Sequence, residues 1–272
     1  MHKGKLIFIV LFLIVNGYGI LCGGLYFFQE SMLFHPTQLP QDYTFTFKTN
    51  FIEITNKTQD GANLHGLYFT VDNPKGTLLY YHGNAGDVSK WGEVVQYFVE
   101  KDLNVVVMDY RNFGKSTGAM SETALYEDAN FWYAFAKDAA QKTNTPLHIY
   151  GRSLGTTFAT YVASKNEAEQ LILETPFYSI ENEAKSRFSI LPISQLLKYK
   201  MRTHSYINKV KAPITMLHGT EDRVVKYAHG KKLYDVIEGN TKRFVTISGG
   251  NHHNLGTHLK YHQTIDSLLG TK

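Results

Sequence analysis

Cysteine is nearly absent from this chain of 272 residues: the single one, Cys22, lies inside an apolar run. One thiol closes no intramolecular disulfide, and no cysteine-based metal site can be built around it. Gly and Pro are not in excess and no internal period is present, so collagen-like, low-complexity and repeat architectures fall away. Concentrated basic charge is missing too. The 28 Lys and Arg stand against 24 Asp and Glu for a net charge of +4, and the cations are scattered. That argues against nucleic acid as the main partner, because phosphate binding wants a basic stripe. The length suits one large α/β domain or two small ones.

A long uncharged run stands at the start. From Leu6 to Phe28 the sequence LIFIVLFLIVNGYGILCGGLYFF carries no charge, with Lys3 and Lys5 before it and Gln29 and Glu30 after it. About 20 apolar residues span a hydrocarbon core, so residues 1–30 are expected to anchor the chain and 31–272 to form the folded domain. A cleaved signal usually has an apolar region of roughly 7–15 residues and a small-x-small site. A lipid-modified signal at Cys22 would have bulky Leu21 where a small residue belongs. A helix packed at the periphery of the domain would be apolar along a stripe, not all round. With the lysine flank in the cytoplasm, the anchor is a single pass and everything after Glu30 lies on the non-cytoplasmic side.

Beyond Pro40 eight strand-like segments appear: 51–55, 64–71, 77–83, 104–110, 147–151, 171–177, 214–220 and 243–248. The first two alternate apolar and polar residues, as half-buried strands do, and most of the others are short β-rich apolar runs. Helical stretches fall between them at 89–100, 121–142, 154–166, 226–238 and 258–269. Strands first, then alternating β and α, predict a mostly parallel sheet of about eight strands with helices on both faces. Residues 179–211 interrupt the rhythm with Phe188, Ile190, Leu191, Leu196 and Leu197, and read as a lid insertion.

The chemistry gathers at strand ends. LHIYG runs into Gly151-Arg152-Ser153-Leu154-Gly155 and then a helix, which is G-x-S-x-G in its strand–turn–helix context. Glycines allow the sharp turn and the close approach of helix to strand, and the turn holds the Ser153 hydroxyl at a helix N-terminus. A serine hydroxyl needs a base and a carboxylate that orients the base, here in the chain order serine, acid, histidine. Asp222 follows ITMLHGT, and His252 and His253 follow RFVTIS. Glu174, ending LILE, is a rival acid, and spacing alone leaves both histidines open as the base. TLLYYHG leads into Asn84, whose backbone N–H, with that of Leu154, can point at one oxygen as an oxyanion hole. Asp109 reads as structural, bonding nearby backbone. Gly114-Lys115-Ser116 imitates a phosphate loop, but Asp109 stands where that motif needs glycine. His258 and His262 share a helix face without a carboxylate partner and read as surface residues.

HGNAG, DYRNFGKSTG, GRSLG, HGTEDRVV and GGNHHN in this order resemble the α/β-hydrolase-fold serine hydrolases, most closely the small branch with an N-terminal membrane helix. The resemblance covers about residues 30–270. It implies Ser153 as nucleophile, Asp222 as acid, His252 as base by the match of GGNH, no cofactor, and hydrolysis of ester or thioester bonds. One departure is Asn112, where the usual DYRG has glycine. The expected enzyme works through an acyl-enzyme on a small-molecule, lipid or acyl-protein substrate. An acyltransferase or peptidase could share the triad, and a non-catalytic membrane-attached binding module is the rival of another class.

Overall fold

The computed structural model describes residues 2–239 and 241–270. Its elements are α1 (His2–Leu33), β1 (His35–Pro36), β2 (Phe51–Lys57), β3 (Asn63–Phe69), β4 (Gly76–Tyr81), β5 (Ala85–Gly86), α2 (Val88–Val99), β6 (Leu103–Met108) and α3 (Glu122–Thr143). There follow β7 (Leu147–Arg152), α4 (Gly155–Ala163), β8 (Gln170–Glu174), α5 (Ile180–Arg187), α6 (Ile193–Leu196) and α7 (His204–Ile207). The chain closes through β9 (Ile214–Gly219), α8 (Tyr227–Asp235), β10 (Lys242–Ile247) and α9 (Leu259–Leu269).

Eight strands form one sheet in the order β10-β9-β8-β7-β4-β6-β3-β2. β2 and β3 pair antiparallel, β3 runs antiparallel to β6, and the remaining pairs are parallel. The expected α/β-hydrolase fold is present. Each central strand feeds two cores by alternation: Leu79 and Tyr81 of β4 face one, Leu78 and Tyr80 the other. That is why these strands read as unbroken apolar runs. α3, α4 and α8 cover the first face, and α2 and α9 cover the second. The chain goes from β4 to β6 on one side and returns over β4 to β7 on the other. The carboxyl ends of β4 and β7 therefore flank a switch point, where α/β sheets leave a crevice.

Helix ends follow local chemistry. The Asp87 carboxylate accepts from the Ser89 amide at 2.7 Å, and the Ser121 hydroxyl accepts from the Ala124 amide at 3.1 Å. α3 ends at Asn144, whose φ of 51° suits an asparagine C-cap.

α1 has two environments. Residues 3–21 are exposed on every side, whereas Leu25 and Gln29 are buried against the domain. Among the described residues it is the one helix long and apolar enough to cross a membrane. It continues past residue 30 because its polar residues find partners on the insertion. Gln29 Nε2 donates to the Leu196 carbonyl at 3.2 Å and its Oε1 accepts from the Lys198 amide at 2.7 Å. The Tyr199 hydroxyl donates to Glu30 at 2.8 Å. Residues 179–211 hold the three short helices α5, α6 and α7.

Candidate active site

β7 ends at the central crevice, and the next residue, Ser153, takes φ 51°, a left-handed conformation that is strained for a serine. Two bonds hold the elbow: the Ser153 amide donates to the Glu174 carbonyl at 2.9 Å, and the Thr156 hydroxyl donates to the Ser153 carbonyl at 2.6 Å. The flanking glycines are a steric necessity. A Cβ on Gly155 would overlap the Tyr81 carbonyl, and one on Gly151 would press on Gly155, Thr156 and Ala159. Only bare backbone lets α4 approach β4 and β7 this closely.

Asp222 lies three residues past β9 and His252 five past β10, on the same edge of the sheet. Their loops are joined, since the Glu221 amide donates to the Gly250 carbonyl at 2.9 Å. His252 Nδ1 donates to Asp222 Oδ2 at 2.8 Å, and its Nε2 stands 3.0 Å from Ser153 Oγ. Since a carboxylate only accepts, Nδ1 carries the proton and Nε2 is left to accept from the serine hydroxyl. All three side chains are buried. Asp222 Oδ1 accepts from the amides of Val224 and Val225 at 2.9 and 2.8 Å. Burial alone would raise the Asp222 carboxyl. Hydrogen bonds from His218 and His252, the charge of His252 and the Val225 amide outweigh it and hold the group well below the usual carboxylate range.

The other sequence candidates lie apart from this contact. His253 is exposed and meets His252 only ring to ring, at 5.3 Å. Glu174 lies beneath the elbow, accepting from the Tyr150 hydroxyl at 2.5 Å and pairing with Arg152 at 3.4 Å. Asp109 does not bond nearby backbone as expected. Both of its oxygens lack a hydrogen bond among the described residues, and it sits 3.7 Å from His82 and 4.0 Å from His65. The tight turn after it leaves no backbone donor aimed at its carboxylate. Asn112 has φ 65°, a left-handed conformation that asparagine accepts, so glycine is not required there. Lys115 is tied to Glu53 at 2.7 Å. Among the described residues no group of three or more His, Cys, Asp or Glu is placed to hold a metal ion.

Asn84 and Leu154 border one cavity of about 200 Å³ together with Ser153. Neither backbone amide has an intramolecular acceptor among the described residues. The Asn84 side chain is engaged elsewhere, donating to the Leu33 carbonyl at 2.9 Å, and its carbonyl accepts from the His35 amide at 2.8 Å. The cavity is mostly apolar, walled by Phe177, Ile180, Phe188, Leu197 and Val225 and by Leu25, Met32 and Leu33 of α1.

Two contributors escape a reading of the sequence. His218, on β9, reaches the acid from behind: its Nε2 donates to the Val225 carbonyl at 2.9 Å and lies 3.4 Å from Asp222 Oδ2. The signal was its position four residues before the acid, at the end of a buried strand. Arg152 packs over the Trp91 ring at 5.2 Å and donates to the His252 carbonyl at 3.2 Å, bracing the histidine loop. Nothing in its neighbours along the chain marks it.

Comparison with known proteins agrees with this architecture. The family model described as serine aminopeptidase, S33, matches residues 72–197 and 185–257. The chain is 33% identical over 201 residues to the lysophosphatidylserine lipase ABHD12 of Danio rerio, covering 63% of this chain and 51% of that protein. It thus spans about half the length of that relative. The uncharacterized protein YfhR of Escherichia coli K12 is 30% identical over 211 residues, covering 74% of this chain and 72% of its own. Among solved structures, the Pyrococcus furiosus esterase Pf2001 superposes with a TM-score of 0.68 at 17% identity, over 88% of this chain and 97% of the esterase. At that identity the likeness speaks for the fold. With a family model spanning most of the domain and a hydrolase architecture beneath it, the chain belongs to the serine aminopeptidase S33 family of α/β-hydrolase-fold serine hydrolases.

Proposed function

We propose that this protein is a membrane-anchored serine hydrolase that cleaves carboxylic ester or thioester bonds of apolar acyl substrates. The observation that carries the reading is the continuous contact from Asp222 through His252 to Ser153, opening onto an apolar cavity. His252 Nε2 takes the Ser153 proton as Oγ attacks the acyl carbon, and Asp222 holds the imidazole in its tautomer and balances the imidazolium. The amides of Asn84 and Leu154 stabilise the oxyanion of the tetrahedral intermediate, an effect commonly worth ~3 kcal/mol per donor. His252 then protonates the leaving oxygen or sulfur, leaving an acyl group on Ser153. A water molecule, deprotonated by His252, attacks that acyl group, and the collapse releases the acid and restores Ser153.

Three observations favour a lipid-like substrate: the apolar cavity walls, the all-round apolar α1, and the similarity to a lysophosphatidylserine lipase. In this reading α1 anchors the chain with its lysine flank in the cytoplasm and the catalytic domain outside it, and residues 179–211 serve as a lid. An aminopeptidase would want a free carboxylate to receive the substrate amine. Among the described residues, the cavity's carboxylate is Glu183, which pairs with His229 at 2.6 Å. This favours the ester reading.

Labelling with a fluorescent fluorophosphonate tests it. The full chain in detergent should label, Ser153→Ala and His252→Ala should not, and His253→Ala should. A well-folded chain that takes no label would overturn the proposal.

A further inference from the structure

We propose that the last turns of α1 form one wall of the acyl pocket, so that an acyl chain reaches Ser153 sideways from the bilayer, between the anchor and residues 179–211. This rests on the hydrolase reading above and adds to it a route and a chain-length determinant.

Length comes first. At 1.5 Å per residue, about 20 residues cross a hydrocarbon core of about 30 Å, fewer than α1 contains. The all-round exposed stretch, residues 3–21, comes close to that length, with Lys3 and Lys5 at its N-terminal end. The remaining turns stand at the membrane surface, and there one face of the helix turns inward. Leu25 is buried against Leu191, Ile193 and Leu197 of the insertion. Leu25, Met32 and Leu33 line the same cavity as Ser153. The anchor is therefore part of the pocket.

The tip of the insertion points the same way. Phe188 and Ile190 are exposed, Ile190 by 75%. The Tyr18 hydroxyl donates to the Ile190 carbonyl at 3.1 Å, which sets that tip beside the membrane-crossing part of α1. Lys198 lies over the Tyr26 ring at 4.6 Å, an aromatic–cation pair of the kind that marks the headgroup level. Apolar residues exposed at that depth would be solvated by lipid, and Phe188 itself lines the cavity together with Leu25 and Met32 of α1. An acyl chain moving from that lipid into the cavity passes from one apolar medium to another.

Chain-length selectivity in the full-length protein tests this. p-Nitrophenyl esters from acetate to dodecanoate would be hydrolysed by wild type, Met32→Trp, Met32→Ala and, as a lipid-facing control, Ile9→Trp, each scored against its fluorophosphonate labelling. Met32→Trp is expected to lower the dodecanoate-to-acetate ratio of kcat/KM by about tenfold or more, and Met32→Ala to shift it in the opposite direction. Ile9→Trp should leave the ratio as in wild type. Labelled variants whose ratio stays at the wild-type value, or moves as far in Ile9→Trp as in Met32→Trp, would overturn the inference. Wild-type protein that takes no label would overturn the hydrolase reading itself, and the inference with it.

Discussion

His218 and His252 approach the same carboxylate oxygen of Asp222, at 3.4 and 2.8 Å. One of them is in contact with Ser153; the other is fully buried behind the acid. In the proposed mechanism His218 is a positioning residue, and its contribution would reach the serine through Asp222.

Removing that support has a direction. In His218→Leu, Asp222 loses one of the donors that hold its carboxyl low, so its pKa rises. The acid limb of kcat/KM, which belongs to the Asp222–His252 pair, should move to higher pH. A weak, shared bond of ~1 kcal/mol corresponds to a fall in kcat of about fivefold, with KM little changed. The pH–rate profile decides: an unmoved limb would leave His218 a packing residue.

Arg152 and Glu174 should behave as a coupled pair. Their ion pair lies largely inside the protein, and each also has its own bond, Glu174 to Tyr150 and Arg152 to the His252 carbonyl. Breaking a buried pair from one side costs about 3 kcal/mol, because the other charge is left uncompensated. Arg152→Met and Glu174→Gln should each destabilise by about that amount, and the double variant by clearly less than the sum. Denaturant melts of the four proteins check this.

The two glycines Gly155 and Gly256 should respond differently to alanine. A Cβ on Gly155 meets fixed backbone at Tyr81, whereas one on Gly256 meets nothing within 4 Å. Gly155→Ala should cost about 3 kcal/mol and abolish fluorophosphonate labelling, while Gly256→Ala should stay within about 0.5 kcal/mol. Thermal melts and labelling report both.

His148 should make the fold sensitive to acid. Burial in β7 pushes its pKa down to about 4. The unfolded chain takes up this proton near the ordinary value of about 6.5, the folded chain only near 4. Between the two the unfolded state holds more protons, so stability falls as pH drops through that window and levels off below it. The full loss is roughly 3 kcal/mol. His148→Gln should show a shallower decline in melting temperature between pH 7 and pH 4 than wild type.

Much of this molecule is legible in its sequence, for reasons that differ by element. Most of the central strands announced themselves because strands buried on both faces are apolar at nearly every position, as in LNVVVM of β6, whose one polar residue, Asn104, is buried and accepts from the Val71 amide. Strand β3 read as half-buried, yet it is covered almost throughout, since Phe45 and Phe47 pack against it from an irregular stretch without a pattern. The elbow was legible because it is a local strand–turn–helix pattern, with Gly151 forced by Gly155, Thr156 and Ala159 close by in the chain, even though Gly155 is forced by distant Tyr81. Arg152 was not, because the Trp91 ring and the His252 carbonyl that it touches come from distant parts of the chain. His218 was not, because its spacing to Asp222 gains meaning only once the loop after β9 brings the acid back to the strand end. The inward face of α1 was hidden as well: Leu25 sits in an apolar run that looks the same on every face, and only Gln29 and Glu30 beyond it meet residues 179–211 with polar groups.

The hydrogen bond from Asn84 to the Leu33 carbonyl makes the tether a mechanical part. The final turn of α1 is fastened to the loop that carries the proposed oxyanion donor, and β1, directly after it, pairs with β5 on the same loop. If α1 anchors the chain as proposed, a helix that tilts to match bilayer thickness would pull on that loop. Turnover would then gauge the membrane, and a chain trimmed after Leu33 for solubility would lose the gauge along with the anchor.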